Sequence, residues 1–248
     1  MSATQSVDRA LRILWVINGL QRATVTDIAK ELQVHKSTAS RLLAALERQS
    51  LVTRRKADLS YELGHGILQL AGSVNAQSDL TKSAQVLVES VAEQFKLTAN
   101  VAILDDIYAV NIAQSAPSER FFTPRQYVGR RTPGHATSSG KILLAEADDE
   151  TQQQLFSAPL ERFTDATITD PQKLSKELDT VARQGWAVSN NEWDADMTAV
   201  AVPLRGTNNR VVAAVTITGF THDLPSKDFK DQADKLVTHV QRYGRLLE

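Results

Sequence analysis

The chain contains no cysteine. Disulfides, thiolate zinc centres and cysteine nucleophiles are therefore excluded, and a reducing compartment is compatible with the composition. No apolar run approaches the ~20 residues that a membrane span needs. The opening stretch MSATQSVDRALRIL holds no apolar core ending in a small-residue cleavage site, so no signal peptide is expected. Cytoplasmic residence without a membrane partner is the resulting expectation. The five histidines, at 35, 65, 135, 222 and 239, show no H-x-x-x-H metal spacing. There is no G-x-S-x-G nucleophile elbow, no internal repeat and no low-complexity run. No catalytic residue, metal ligand or cofactor is expected.

What remains is a globular composition. Of 248 residues, 42% are apolar and 23% charged, which suits two modest domains or one large one. The net charge of −1 conceals an asymmetry. Residues 1–63 carry ten Lys/Arg against six Asp/Glu, and the remainder carries 18 against 23. A basic head on an acidic body suggests an N-terminal module that meets a polyanion.

Helical spacing of Val7, Ala10, Leu11, Leu14 and Ile17 predicts a first helix, capped by Ser6 and stopped at Gly19. A second is predicted after Thr26 as N-cap, and a third from about His35 to Ser50 with a ridge of Ala39, Leu42, Leu43 and Leu46. The pieces LVTRR and SYEL, joined by KAD, read as a β-hairpin wing. Glycines 64, 66 and 72 mark a helical linker, and a longer helix carries Leu80, Ala84, Leu87, Val88, Val91 and Phe95. TANVAILDD and IYAVNIA alternate and meet at a predicted turn, Asp105-Asp106. Helices are predicted over 136–146, 171–184 and roughly 227–246, and strands in GWAVSN, TAVAVPL and VVAAVTITG. Neighbouring antiparallel pairs mixed with helices indicate an α+β domain.

The stretch TDIAKELQVHKSTASRLLAALE has the form of a helix-turn-helix. Opposite the leucine ridge lie Lys36, Ser37, Ser40 and Arg41, with Thr38 beside them. Short hydroxyl side chains let a helix lie close in the major groove, and Arg41 can address guanine bidentately. Arg54, Arg55 and Lys56 in the wing are placed for backbone or minor groove. An ordinary solvated polar face is the alternative, but such faces usually carry long Lys and Glu side chains.

SVDRALRIL, TDIAKELQVHKSTASRLLAALE, YELGHGILQLAG, GRRTPGHATSSGKILLAE and GWAVSNNEWDADMTAVAVPL…VVAAVTITG occur in that order. Together they closely resemble the IclR family of bacterial transcriptional regulators over essentially the whole chain. The resemblance implies a winged helix-turn-helix (1–63), a linker helix (64–78) and a GAF-like α+β effector-binding and oligomerisation domain (79–248). It also implies dimers or tetramers on pseudo-palindromic operators in double-stranded DNA. In the family, GHATSSGK lines the effector pocket.

Taken by its residues, GHATSSGK imitates a phosphate loop, but five residues separate Gly134 from Gly140, and Ile142 follows Lys141 where Ser or Thr would hold magnesium. The turn still offers backbone N–H groups to an anion at a helix start, and helix capping by Thr137 or Ser138 is equally compatible. His135 borders the turn, either as a ligand neighbour or as a structural histidine. The EWDAD segment, with Glu192, Asp194 and Asp196, lacks EF-hand spacing. Many family members have glycine at the position of Asp196, which puts the local turn in question.

Thr216 and Thr218 share one strand face, an unusual pair of hydroxyls for a sheet core. The resemblance implies that they touch the effector, together with Ser189 at a polar contact position and Ala199 in the wall. It implies that amides at Ser138 and Ser139 face a carboxylate, and that Phe121 and Pro124 form an apolar lid. The expected function is a DNA-binding regulator controlled by a carboxylic or aromatic acid. The alternatives are a constitutive DNA-binding protein and an enzyme built on the GAF-like body.

Overall fold

The computed structural model describes residues 3–76, 79–117, 127–206 and 208–244. The chain divides into two compact units, Met1–Asp79 and Leu80–Glu248.

The first unit runs through α1 (Ala3–Leu20), α2 (Val25–Glu31), α3 (Lys36–Arg48), β1 (Val52–Arg54), β2 (Tyr61–Leu63) and α4 (His65–Ala76). Ile13 and Ile17 of α1, Ile28 and Ala29 of α2, and Ala39, Leu43 and Leu46 of α3 close one apolar core with Val52 and Tyr61 of the hairpin. The strands pair antiparallel, Val52 opposite Leu63. This is the predicted winged helix-turn-helix. Three local expectations are corrected. Ser6 and Gly19 both lie inside α1, and the left-handed residue beyond it is Gln21, φ 63°. The cap of α2 is Thr24, not Thr26. Asp27 stands three residues on and returns a bond to the Thr24 N–H, 2.8 Å, so a reciprocal capping box forms there.

The second unit opens with α5 (Asp79–Phe95) and holds a six-stranded antiparallel sheet. In chain order come β3 (Thr98–Asp105), β4 (Tyr108–Ser115), β5 (Arg131–Pro133), α6 (Ser138–Ala145), α7 (Asp149–Phe156), α8 (Pro171–Gln184), β6 (Ala187–Asn190), β7 (Met197–Arg205), β8 (Val211–Phe220) and α9 (Phe229–Gly244). Strand order is β5-β4-β3-β8-β7-β6. The β3–β4 turn sits one residue later than expected: Asp105 pairs with Tyr108, and Asp106 takes the left-handed conformation, φ 52°. The short edge strand β5 and helix α7 are additions to the elements read from sequence.

The sheet is covered on both faces. One face presents Val101, Ala113, Val200, Val202, Val215 and Ile217 to Leu87, Val88 and Val91 of α5 and to Leu236 and Val240 of α9. The apolar stripe of α5 is thus packed inside its own unit. The other face presents alanines, Ala102, Ala109, Ala201 and Ala214, to Ile142 and Leu143 of α6 and Val181 of α8. Small side chains let α6 come close to the sheet. A bulge between Val101 and Ala102 on the β3–β4 ladder puts Asn111 opposite Ala102, so its side chain shares this face.

Candidate functional site

Along the α6 face two strands turn polar two residues from the alanines: Asn100 precedes Ala102 and Thr216 follows Ala214. On the next strand Ala199 precedes Ala201, and period-2 alternation keeps all of them on one face. The helix begins at this boundary. A cavity of about 70 Å³ opens there, lined by Asn100, Ser138, Ser139, Ala199, Thr216 and Thr218 among others. Its volume is half that of the roughly 150 Å³ cavity that admits benzene, so an aromatic ligand would extend through the mouth or move a wall.

The helix start is fixed by local chemistry. Thr137 caps α6, its hydroxyl accepting the Gly140 N–H at 3.3 Å and donating to the Pro133 carbonyl at 2.9 Å. The N–H groups of Ser138 and Ser139 precede the first intrahelical bond and carry the positive end of the helix towards the cavity. A Cβ on Gly140 would fall on the backbone of Gly134, and one on Gly134 would meet the Ile107 carbonyl. The two glycines therefore serve close packing of a turn and a helix, not a phosphate cradle.

Lys141 is buried beneath this turn, 1% exposed. Its ammonium donates to Glu192 Oε1 at 2.7 Å, to the Val188 carbonyl at 3.0 Å and to Glu177 Oε1 at 3.3 Å. Burial raises the Glu192 carboxyl above the usual carboxylate range, and the lysine charge opposes that rise. The pair fastens α6 to the 191–196 loop, whose Trp193 and Asp194 also line the cavity. At that rim the Arg130 guanidinium lies 5.6 Å from the Tyr127 ring centre and 5.3 Å from that of Trp193. Asp194 is exposed, and its Oδ1 accepts the Asp196 N–H of its own loop at 3.1 Å.

Ser138, Ser139, Ser189, Ala199, Thr216 and Thr218 are thus brought together around one cavity. Ser189 lines it while donating its hydroxyl to the Ala136 carbonyl at 2.7 Å. His135 is not in the lining: its Nε2 lies 2.9 Å from the Glu161 carbonyl, its ring packs on Phe163, and burial lowers its pKa, keeping it neutral. Phe121 and Pro124 lie outside the described residues. Asn100, Asn111, Thr132, Tyr127, Trp193 and Met197 line the cavity without having been singled out in the sequence. Asparagine within the strand-like run TANVAIL was the available signal, because strands are depleted in it.

In the first unit, Lys36, Ser37, Ser40 and Arg41 stand exposed on α3, with Thr38 half-buried beside them. Arg54 and Lys56 are exposed in the wing. Arg55 is engaged locally, 3.4 Å from Glu62 and 3.9 Å from Asp58. Among the described residues, no group of three or more His, Asp or Glu could hold a metal ion, and no helix is long and apolar enough to cross a membrane.

A winged helix-turn-helix ahead of an α+β body describes a class of DNA-binding transcriptional regulators. Comparison with known proteins narrows that class. Residues 6–56 match the IclR helix-turn-helix domain, and residues 73–243 match the bacterial transcriptional regulator IclR C-terminal domain. The Pca operon regulatory protein of Acinetobacter baylyi is 35% identical over 201 residues, covering 79% of this chain and 71% of that one. An IclR transcriptional regulator from Alicyclobacillus acidocaldarius superposes with TM-score 0.82 at 25% identity, covering 98% and 96% of the two chains. An IclR homologue from Microbacterium hydrocarbonoxydans, solved in complex with 4-hydroxybenzoate, gives TM-score 0.79 at 25% identity, covering 97% and 99%. The chain belongs to the IclR family of DNA-binding transcriptional regulators.

Proposed function

We propose that a small carboxylate occupies the cavity at the start of α6 and thereby controls operator binding by the head. The observation that carries this reading is the meeting of unbonded helix N–H groups with a hydroxyl-lined sheet in one cavity. Positive helix ends favour anions, and threonine hydroxyls complete the hydrogen bonds of a carboxylate. Arg130 at the rim adds a positive charge on the approach side. The Microbacterium homologue with its bound aromatic acid agrees with a ligand of this class.

The division of labour follows the sequence expectation: head 1–63, linker 64–78, body 79–248. Lys36, Ser37, Thr38, Ser40 and Arg41 meet the major groove, with Arg54, Arg55 and Lys56 on the flanking backbone. The protein acts in the cytoplasm on a pseudo-palindromic site, as a dimer or a tetramer. A second copy is invoked because Val7, Leu11 and Trp15, one turn apart on α1, are 57%, 53% and 68% exposed.

Trp193 in the cavity wall supplies the assay. Titration with benzoate, butyrate and their hydroxylated counterparts should change its fluorescence, and gel shifts with and without the acid should differ. Thr218→Val keeps the side-chain shape and removes the hydroxyl, so affinity for the acid should fall roughly ten- to a hundredfold. Acid binding that Thr218→Val leaves untouched would place the ligand elsewhere. Absence of any carboxylate binding would overturn the reading.

A further inference from the structure

Several hydroxyl side chains around the cavity are already satisfied by the protein. The hydroxyls of Thr132, Thr137, Ser189 and Thr198 all have partners at 2.7–3.2 Å. Two atoms break this pattern. Asn100 Oδ1 and Thr216 Oγ1 are buried and have no hydrogen-bond partner. Their residues are 7% and 5% exposed, both line the cavity, and they are direct Cα partners across the β3–β8 ladder. Buried polar atoms are nearly always paired, and an orphan at a cavity wall marks a place where a ligand supplies the partner.

The chemistry of the two orphans narrows that ligand. An amide oxygen only accepts, so Asn100 Oδ1 calls for a donor. The Thr216 hydroxyl has a proton to give and lone pairs to offer. One hydroxyl group answers both, donating to Asn100 and accepting from Thr216. A second carboxylate answers only the Thr216 hydroxyl, because it brings no proton to Asn100 Oδ1. The buried lysine of α6, Lys141, is already paired with Glu192 and Glu177.

We propose that Asn100 and Thr216 form a hydroxyl-recognising subsite on the sheet floor, so that the effector is a hydroxy acid and not a plain monoacid or a dicarboxylate. This rests on the carboxylate reading above and adds to it the second polar group of the ligand. The carboxylate end meets the start of α6, and the hydroxyl end meets β3 and β8.

The test uses the full-length chain and matched probes. Calorimetry or Trp193 fluorescence would compare 3- and 4-hydroxybenzoate with benzoate and with terephthalate, and 3-hydroxybutyrate with butyrate. In the wild type, at least one hydroxy acid should bind ten- to a hundredfold more tightly than its deoxy partner, since losing the hydroxyl leaves buried polar groups unpaired. Whichever pair shows the preference separates an aromatic effector from an aliphatic one. Thr216→Val and Asn100→Leu should bring that ratio close to one, whereas Thr216→Ser, which retains the hydroxyl, should keep it. Thermal melts would verify folding of each variant; Thr216→Ala would replace Thr216→Val, and Asn100→Ala would replace Asn100→Leu, if either fails. Equal binding of hydroxy and deoxy acids, tighter binding of terephthalate, or a ratio that survives both substitutions would overturn the subsite while leaving the carboxylate reading intact. No binding by any acid would overturn both.

Discussion

Replacing Lys141 by methionine removes a buried ammonium and leaves its three acceptors in place. Glu192 is the critical one, being 7% exposed with Oε2 already lacking a partner. In Lys141→Met the Glu192 carboxylate must either stay charged in a dry site or take up a proton. Breaking one side of a buried ion pair costs about 3–5 kcal/mol. For a body of this size each kcal/mol moves the melting temperature by about 2–4 °C, so a fall of about 6–20 °C is expected at pH 8. The pH dependence has a definite sign. The folded-state pKa of Glu192 is raised by burial, so its contribution is fully present below the unfolded carboxyl value of about 4.3 and is lost as pH rises through the folded value. Lys141 holds that rise down, and its removal lets the pKa climb, so the variant should be hurt more at pH 8 than at pH 5. Replacing both partners, as in Lys141→Met with Glu192→Leu, should restore most of the loss, because an apolar pair of similar volume carries no desolvation cost. Calorimetric melts of the three proteins at both pH values decide the matter. A Lys141→Met protein within about 1 kcal/mol of wild type at pH 8, or a double variant no better than the single, would refute the reasoning.

Three further outcomes are expected. Arg41→Ala should weaken operator binding by about 1–3 kcal/mol and relax specificity at one base, with a smaller loss on random DNA; equal losses on both, by gel shift, would make it a phosphate contact. Thr24→Ala removes half of the capping box of α2 and should destabilise the first unit by about 1 kcal/mol, whereas Thr26→Ala should change little; denaturant melts showing the reverse order would return the cap to Thr26. Trp15→Glu on the exposed face of α1 should shift the protein towards smaller species in light scattering at micromolar concentration, and a wild type already monomeric there would remove that face from the assembly.

Much of the fold could be read from local signals because those signals were redundant. Helix α8 has an Asp170 cap bonded to the Gln172 and Lys173 N–H groups, Pro171 at its first position and Gly185 at φ 77° after its end, so its predicted bounds are also the observed ones. The α2 cap shows how a weaker signal misleads. Thr24 and Thr26 compete, and only the three-residue offset to Asp27 selects Thr24. Strand β5 is three residues long at a sheet edge, too short for alternation to register. The cavity was half legible. Thr216 and Thr218 stood out by their parity on one strand, but Asn100 joins them only through the β3–β8 ladder, more than a hundred positions away along the chain. The Lys141–Glu192 pair spans 51 positions and carries no periodic signature at all.

On three adjacent strands, the residue that receives α6 and the residue that faces the cavity are separate and two places apart: Ala102 and Asn100, Ala214 and Thr216, Ala201 and Ala199. Inheritance can act on one set without disturbing the other. If the cavity holds the effector as proposed, a lineage that exchanges the residue at 100, 199 or 216 would change which molecule is admitted, while the alanine bed that seats the helix is copied intact. New chemical vocabularies would then arise by single substitutions on an unchanged frame, and a laboratory testing the proposed pocket has the same three positions to begin with.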